Sequence, residues 1–214
     1  MQKKSVLSPE KIVQTAYDFL DRDGIENISM RKLAQSLDVH VMSLYNHIKN
    51  KDELLGIMVE KVISEIYLPE EKQPWKQEML LRAESAYKTL LKHWWATNLI
   101  VTRINTGVAA LTYFDKTLGC LKSSGFTLPH ADAVINAMDS YIYGFTMIEY
   151  SFPFKEQDYT DVVQEYEHFI PKSKYPNMHE LSKMIENQQH DGIHNFMEGF
   201  VYILEGFEKN ITKR

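Results

Sequence analysis

The residues between 31 and 51 bring together side chains suited to reading nucleic acid. His40, Met42, Ser43, Asn46 and His47 offer donors, acceptors and an apolar contact surface within about two helical turns, while Val41, Leu44 and Ile48 take the inward positions. Asn pairs with the edge of adenine, Ser serves either partner, and Met or Val meets the methyl group of thymine. Lys49 and Lys51 suit phosphates, Tyr45 offers a phosphate its hydroxyl, and Arg31 suits a guanine edge or the backbone. Taken together, Arg31, His40, Val41, Met42, Ser43, Tyr45, Asn46, His47, Lys49 and Lys51 are the candidate DNA-contacting set.

Short helices must position that set. Ser8-Pro9-Glu10 reads as an N-cap, a proline at the first helical position and an acid in the first turn. Ile12, Ala16, Phe19 and Leu20 then form one apolar face, and Asp23-Gly24 supplies the stop. Ser29 opens a second helix with Met30, Leu33, Ala34 and Leu37 inward, and after Asp38-Val39 a third turns Val41, Leu44 and Ile48 to the same core. Two short helices joined by a tight turn over Ser29 to Ile48 have the size of a helix-turn-helix, whose second helix enters the major groove. Periodicity alone leaves a plain helical hairpin open. Asn50-Lys51-Asp52-Glu53 launches a longer helix with Leu54, Leu55, Met58, Val59, Val62, Ile63 and Ile66 inward, ending before the loop from Pro69 to Pro74.

Beyond that loop the spacing predicts helices over 75–95, 97–104, 107–124, 129–151, 160–170, 178–189 and 192–209, separated by Gly125, Pro153, Pro171, Pro176 and Gly192. Strand signals are absent. The expected fold is all-α, with residues 1–52 as the DNA-binding part, 53–70 as a connecting helix and 71–214 as a helical part for effector binding and dimerisation. The last helix carries Phe196, Phe200, Ile203 and Phe207 on one stripe with Val201 and Leu204 beside it, which is wider than one core contact requires and implies a second buried face.

The 214 residues are 44% hydrophobic, enough for a packed core, and hold no apolar run of membrane-spanning length or secretory type. A soluble cytoplasmic protein with no membrane partner is expected. The net charge of −5 divides unevenly: residues 1–51 carry eight basic and six acidic groups, a balance of +2, and the remainder −7. A positive end on an acidic chain fits one face turned to phosphate. The single Cys120 forms no internal disulfide, and the eight histidines match no metal-ligand spacing, so no metal or cofactor is expected. His190-Asp191 and His194 read as a polar loop. No nucleophile elbow, zinc-protease helix, phosphate-cradling glycine loop or dinucleotide fingerprint is present, which argues against an enzyme.

The run Met30 to Leu55, and above all Leu44-Tyr45-Asn46-His47-Ile48-Lys49-Asn50-Lys51 followed by Leu54-Leu55, resembles the DNA-binding signature of the TetR (tetracycline repressor) family of regulators. Asp38 stands where that family commonly has a turn glycine. The resemblance extends over Leu121–Phe126 and 192–209, and points to the branch with a tetracycline-repressor-type C-terminal part. It implies a ligand-responsive repressor of double-stranded palindromic operator DNA, acting as a homodimer through helices 129–151 and 192–209 and released by an unidentified small-molecule effector. It also implies that Tyr67, Arg82, Tyr87, Trp94, Arg103, Tyr113, Asn136, Tyr141 and Glu149 lie on segments lining the effector cavity. Arg103 and Glu149, as charges amid apolar stretches, need partners. Tetracycline repressors hold their drug with magnesium and histidines; here Ile100 and Ser140 or Tyr141 stand at those places, with His93 and His130 displaced from them. The alternative is a DNA-binding regulator or architectural protein without an effector.

Overall fold

The computed structural model describes residues 7–152, 159–190 and 195–207, and among these the regular structure is entirely helical. Helices α1 (Pro9–Asp23), α2 (Met30–Ser36) and α3 (Val41–Tyr45) form the N-terminal unit, and α4 (Lys51–Ser64) leads away from it. Then follow α5 (Trp75–Lys92), α6 (Ala96–Val101), α7 (Val108–Ser123), α8 (Leu128–Ser151), α9 (Tyr159–Tyr166), α10 (Pro176–Glu186) and α11 (Phe196–Phe207). A short 3₁₀ turn, Glu167–Phe169, prolongs α9. No described helix is long and apolar enough to cross a membrane.

Local chemistry sets the helix starts. The Ser8 and Ser29 hydroxyls accept from the backbone N–H groups of Lys11 and Lys32, and Asn50 accepts from Glu53 N at 2.8 Å. Glu53 in turn accepts from Lys49 N at 2.5 Å, so the reciprocal partner is the residue before the cap rather than the cap itself. Caps of this kind contribute about 1 kcal/mol each. The expected inward faces of α1, α2 and α4 are buried, as are Leu44 and Ile48, while Val41 is half-buried. One contiguous apolar core joins all of these helices. Beyond it, α4 packs on α6 and α7, α5 on α8 and α11, and α7 on α8.

Several helix ends depart from the pattern expected of the sequence, α9 at Tyr166 and α10 at Glu186 among them, and three of them bear on the sites. The helix expected over 75–95 stops at Lys92, because the next three residues are captured by α1. His93, fully buried, places Nδ1 2.8 Å from Asp21 Oδ1 and Nε2 2.7 Å from the Tyr17 hydroxyl; Trp95 Nε1 donates to the same Asp21 oxygen at 2.6 Å. Helix α6 ends at Val101 rather than 104, with Asn105 Nδ2 donating to the Ile100 carbonyl at 2.9 Å. Third, α3 ends at Tyr45, and Asn46-His47 turn towards the buried Ile48.

Two glycines are fixed by close approach. Gly24, the C-cap of α1, has φ 73° and ψ 173°, and a Cβ there would come 2.5 Å from Cη2 of Trp94. Gly107, ahead of α7, lies under Glu60, whose carboxylate accepts from the N–H groups of Ala109 and Ala110 at 2.8 and 3.2 Å. Cys120 is buried on α7, and burial pushes its thiol up to about 11.

Glu65 closes the junction from the α4 side. Its carboxylate accepts from the Tyr17 hydroxyl at 2.5 Å and from Lys92 Nζ at 3.2 Å, and lies 3.2 Å from His93 Nε2. Burial pushes this carboxyl up, but the hydrogen bonds from Tyr17, Lys92 and His93 outweigh it and hold the carboxyl below the usual glutamate range. The same burial, together with Glu65, raises the Tyr17 phenol.

Two outcomes are expected. Gly24→Ala forces a side chain into a glycine-only backbone region and against Trp94, and should lower the unfolding free energy measured in urea by about 1–3 kcal/mol. Glu65 has a depressed folded-state value, so its stabilisation is present above the unfolded carboxylate value and is lost as pH falls through the folded one. The denaturation midpoint of Glu65→Gln should therefore lie below the parent's at neutral pH, with the gap closing in acid; a gap independent of pH would contradict the assignment.

Candidate nucleic-acid interface and ligand cavity

The turn between α2 and α3 is tight because Leu37 N donates to Leu33 O and Val39 N to Ala34 O, both at 3.1 Å, and because Asp38 takes φ 52°. Aspartate tolerates this left-handed conformation better than most residues. It therefore serves where a glycine would be unstrained. His40 caps α3: its Nδ1 accepts from Met42 N at 3.3 Å, which leaves Nε2 for an outside partner.

Over the buried Leu44, the outer side of α3 and the turn beyond it expose Met42, Tyr45, Asn46 and His47, with Met42 60% accessible. Ser43 is half-buried, and Arg31 and Lys49 are exposed. Lys51 is placed differently from the other candidates. Half-buried, it donates from Nζ to the Ile28 carbonyl at 2.8 Å and so ties the start of α4 to the loop before α2.

A cavity of about 360 Å³ lies where α4, α6, α7 and α8 meet. Ile63 and Ile66 close it from α4 and the residues just after it, and Ile100 and Val101 from α6. Arg103 and Asn105 enter from the α6–α7 connection, and Tyr113 and Phe114 from α7. From α8 come Asn136, Asp139, Ser140 and Tyr143, spaced as one helical face.

Of the residues expected to line a cavity, Arg103, Tyr113 and Asn136 meet here. Arg82 lies directly behind the wall, fully buried, with Nη2 paired to Asp139 and its guanidinium 4.6 Å from the centre of the Tyr113 ring. Its Nε and Nη1 have no hydrogen-bond partner among the described residues. Burial works against both charges of this pair. The Tyr113 ring and Asp139 nevertheless hold the guanidinium protonated, while the Asp139 carboxyl stays above its usual range. Burial likewise raises the Tyr113 and Tyr143 phenols, which remain neutral.

The remaining candidates lie elsewhere. Tyr87 stacks on Phe196 at 4.1 Å and donates to Glu149 at 2.5 Å, while Tyr141 donates to the Phe196 carbonyl at 2.9 Å; these three hold α11 against α5 and α8. Tyr67 donates to Glu78 at 2.8 Å beside a separate shallow groove with Leu81 and Ser85, and that hydrogen bond pushes its phenol up to about 12. Trp94 covers Gly24. Both charges that needed partners have them: Glu149 has Tyr87, and Arg103 Nη2 pairs with Asp52 Oδ1 at 2.6 Å. Sequence reasoning missed Phe114, Asn105, Asp139 and Tyr143, although the spacing 136, 139, 140, 143 marks a polar stripe on an otherwise apolar helix.

The stripe on the last helix divides. Phe196, Phe200 and Leu204 are buried in the chain's own core, Val201, Ile203 and Phe207 are half-buried, and Tyr202 is 63% exposed. On α8, Ala133, Ala137 and Ile148 face outward. Of Ile100 and Ser140 or Tyr141, which the resemblance sets at the magnesium-binding places, Ile100 and Ser140 line the cavity, and none of the three offers an imidazole, so these residues do not fit such a metal. Among the described residues no group of three His, Cys, Asp or Glu side chains could hold a metal ion. Asp191 and His194 lie outside the described residues, as do 192, 193, 208 and 209 of the expected last helix.

Residues 68–211 match the family described as tetracyclin repressor-like, C-terminal domain. An HTH-type transcriptional regulator of Saccharopolyspora erythraea is 35% identical over 147 residues, which span 68% of this chain and 62% of that protein. The HTH-type transcriptional repressor DrrR1 of Streptomyces coeruleorubidus is 26% identical across 99% of this chain and 81% of its own length. Among solved structures, the TetR family protein ActR of Streptomyces coelicolor in complex with actinorhodin superposes with a TM-score of 0.81 at 25% identity, covering 98% of this chain and all of that one. The family match covers α6, α7 and α8, three of the four helices around the cavity, and the likeness in fold takes in α4 and the helix-turn-helix as well. The chain belongs to the TetR family of transcription regulators.

Proposed function

We propose that this chain is a homodimeric repressor that binds a palindromic operator through α3 and leaves it when a small molecule fills the cavity between α4, α6, α7 and α8. The observation that carries the reading is α4. Its first turn is capped by Asn50, bonded to Ile28 and placed beside the helix-turn-helix, and its last turn supplies Ile63 to the cavity wall. One helix about 20 Å long thus spans from DNA reader to cavity. A ligand acts by favouring one placement of α4 over another, since only differential affinity shifts an equilibrium.

In this reading residues 1–52 contact DNA, 53–70 connect, and 71–214 bind the effector and the second subunit. Dimerisation uses α8 and α11, whose outward Ile148 and Tyr202 are each more than half exposed. Two reading helices about 34–36 Å apart would then match half-sites one helical turn apart. The repressor name of DrrR1 and the actinorhodin bound by ActR support repression and ligand binding respectively. The cavity also favours an effector-responsive protein over an architectural one.

The test is a gel shift with fragments of the protein's own upstream DNA at stated salt and with excess competitor duplex. Specific retention by a palindrome, lost on adding an effector, is expected; retention of all fragments alike would overturn the repressor reading. Residue by residue, Asn46→Ala should relax preference at one base pair by about 1–3 kcal/mol. Lys49→Ala should weaken all sequences alike and lower the slope of log affinity against log salt by about 1. Lys51→Ala should reduce binding and also lower thermal stability, through the lost bond to Ile28.

A further inference from the structure

Arg103 belongs to two sites at once. It lines the cavity and also the neighbouring groove between the first half of α4 and the α6–α7 connection. Its guanidinium pairs with Asp52 at 2.6 Å, and Nη1 lies 3.5 Å from the Asp52 carbonyl, so a cavity residue holds the first turn of α4. Asp52's side chain is 78% exposed and Arg103's 25%. So open an ion pair is readily exchanged for a better-enclosed partner.

Among the described lining residues the cavity carries one cation, Arg103, and one acid. Asp139 is the one acid among its lining residues, and Arg82 already holds it. The guanidinium, itself fully buried behind the wall, neutralises Asp139 and so leaves that wall without a net negative charge. Glu60, in the adjoining groove, is engaged by the N-terminus of α7. Tyr113 and Tyr143 remain protonated phenols, adding aromatic surface and no negative charge. A cationic ligand would meet Arg103 and, among the described lining residues, no acid without a cation already on it. An anion would find a fork-shaped donor in Arg103, and a flat apolar part would lie against Phe114, Tyr113 and the isoleucines.

Resting on the repressor reading above, we propose that the effector is an aromatic acid whose anionic group takes Arg103 in competition with Asp52. Capture of Arg103 breaks the tie between the cavity and the first turn of α4. By reciprocity, whatever holds the Arg103–Asp52 pair together, operator DNA included, weakens acid binding by the same factor.

The test uses the purified full-length protein with naphthoate, salicylate and anthracenecarboxylate, each beside its methyl ester, by calorimetry and thermal shift. An acid should bind at least about tenfold more tightly than its ester, as a charge-assisted hydrogen bond requires. Arg103→Gln should remove that preference while far-ultraviolet dichroism and melting temperature stay unchanged. Asp52→Asn, which removes the competitor and leaves the cavity intact, should tighten acid binding. Equal binding of acid and ester, binding of no acid in the panel, or an acid affinity unmoved by Asp52→Asn would each overturn the proposal. Acid discrimination in a protein that retains no palindrome would instead fail the operator reading and leave this one standing.

Discussion

The arrangement hangs on the Asp21 carboxylate at the end of α1. One oxygen accepts from the Trp95 indole at 2.6 Å and faces His93 Nδ1 at 2.8 Å, so a single side chain fixes the point where α5 stops and α6 begins. Since α6 is a wall of the cavity, the orientation of that wall relative to α1 is set here rather than by the apolar core, which is non-directional. Glu65 and Tyr17 bind the other side of the same imidazole, which brings the end of α4 into the junction. The imidazole at the centre is fully buried, and burying it without these partners would be costly, so the network specifies one geometry.

The Arg82–Asp139 pair works differently. Removing two charges from water costs several kcal/mol per ion, and an apolar pair of equal volume often stabilises as well. A buried guanidinium with two donors unpartnered among the described residues therefore contributes little to the stability of the fold. What it contributes is neutralisation of Asp139 in the cavity wall and, through its stacking on Tyr113, a set position for one aromatic wall.

Much of the N-terminal half was legible in the sequence because its signals are local. Ser8, Ser29 and Asn50 are caps by residue type, and the faces of α1, α2 and α4 follow from helical spacing. The end of α5 was not legible: His93-Trp94-Trp95 continue a helical pattern, and what stops them is Asp21 and Gly24, about seventy residues earlier in the chain. The cavity was half legible. Arg103, Tyr113 and Asn136 reached it on resemblance, whereas Tyr87, Tyr141 and Glu149, of the same residue types, hold α11 in place. Composition cannot separate an aromatic that packs from one that lines a void; only the neighbouring helix decides. The stripe on α11 divided for the same reason, since Phe196 and Phe200 found partners in α5 and α8.

The burial of Cys120 bears on which signals can reach this chain. Oxidants attack the thiolate, and a thiol held at about 11 and buried inside α7 stays protonated and shielded. It is the sequence's one cysteine, so the thiol is the shielded sulfur and the exposed ones are thioethers, Met42 on the outer side of α3 among them. Changes in the thiol poise of the surroundings therefore have little purchase on α7.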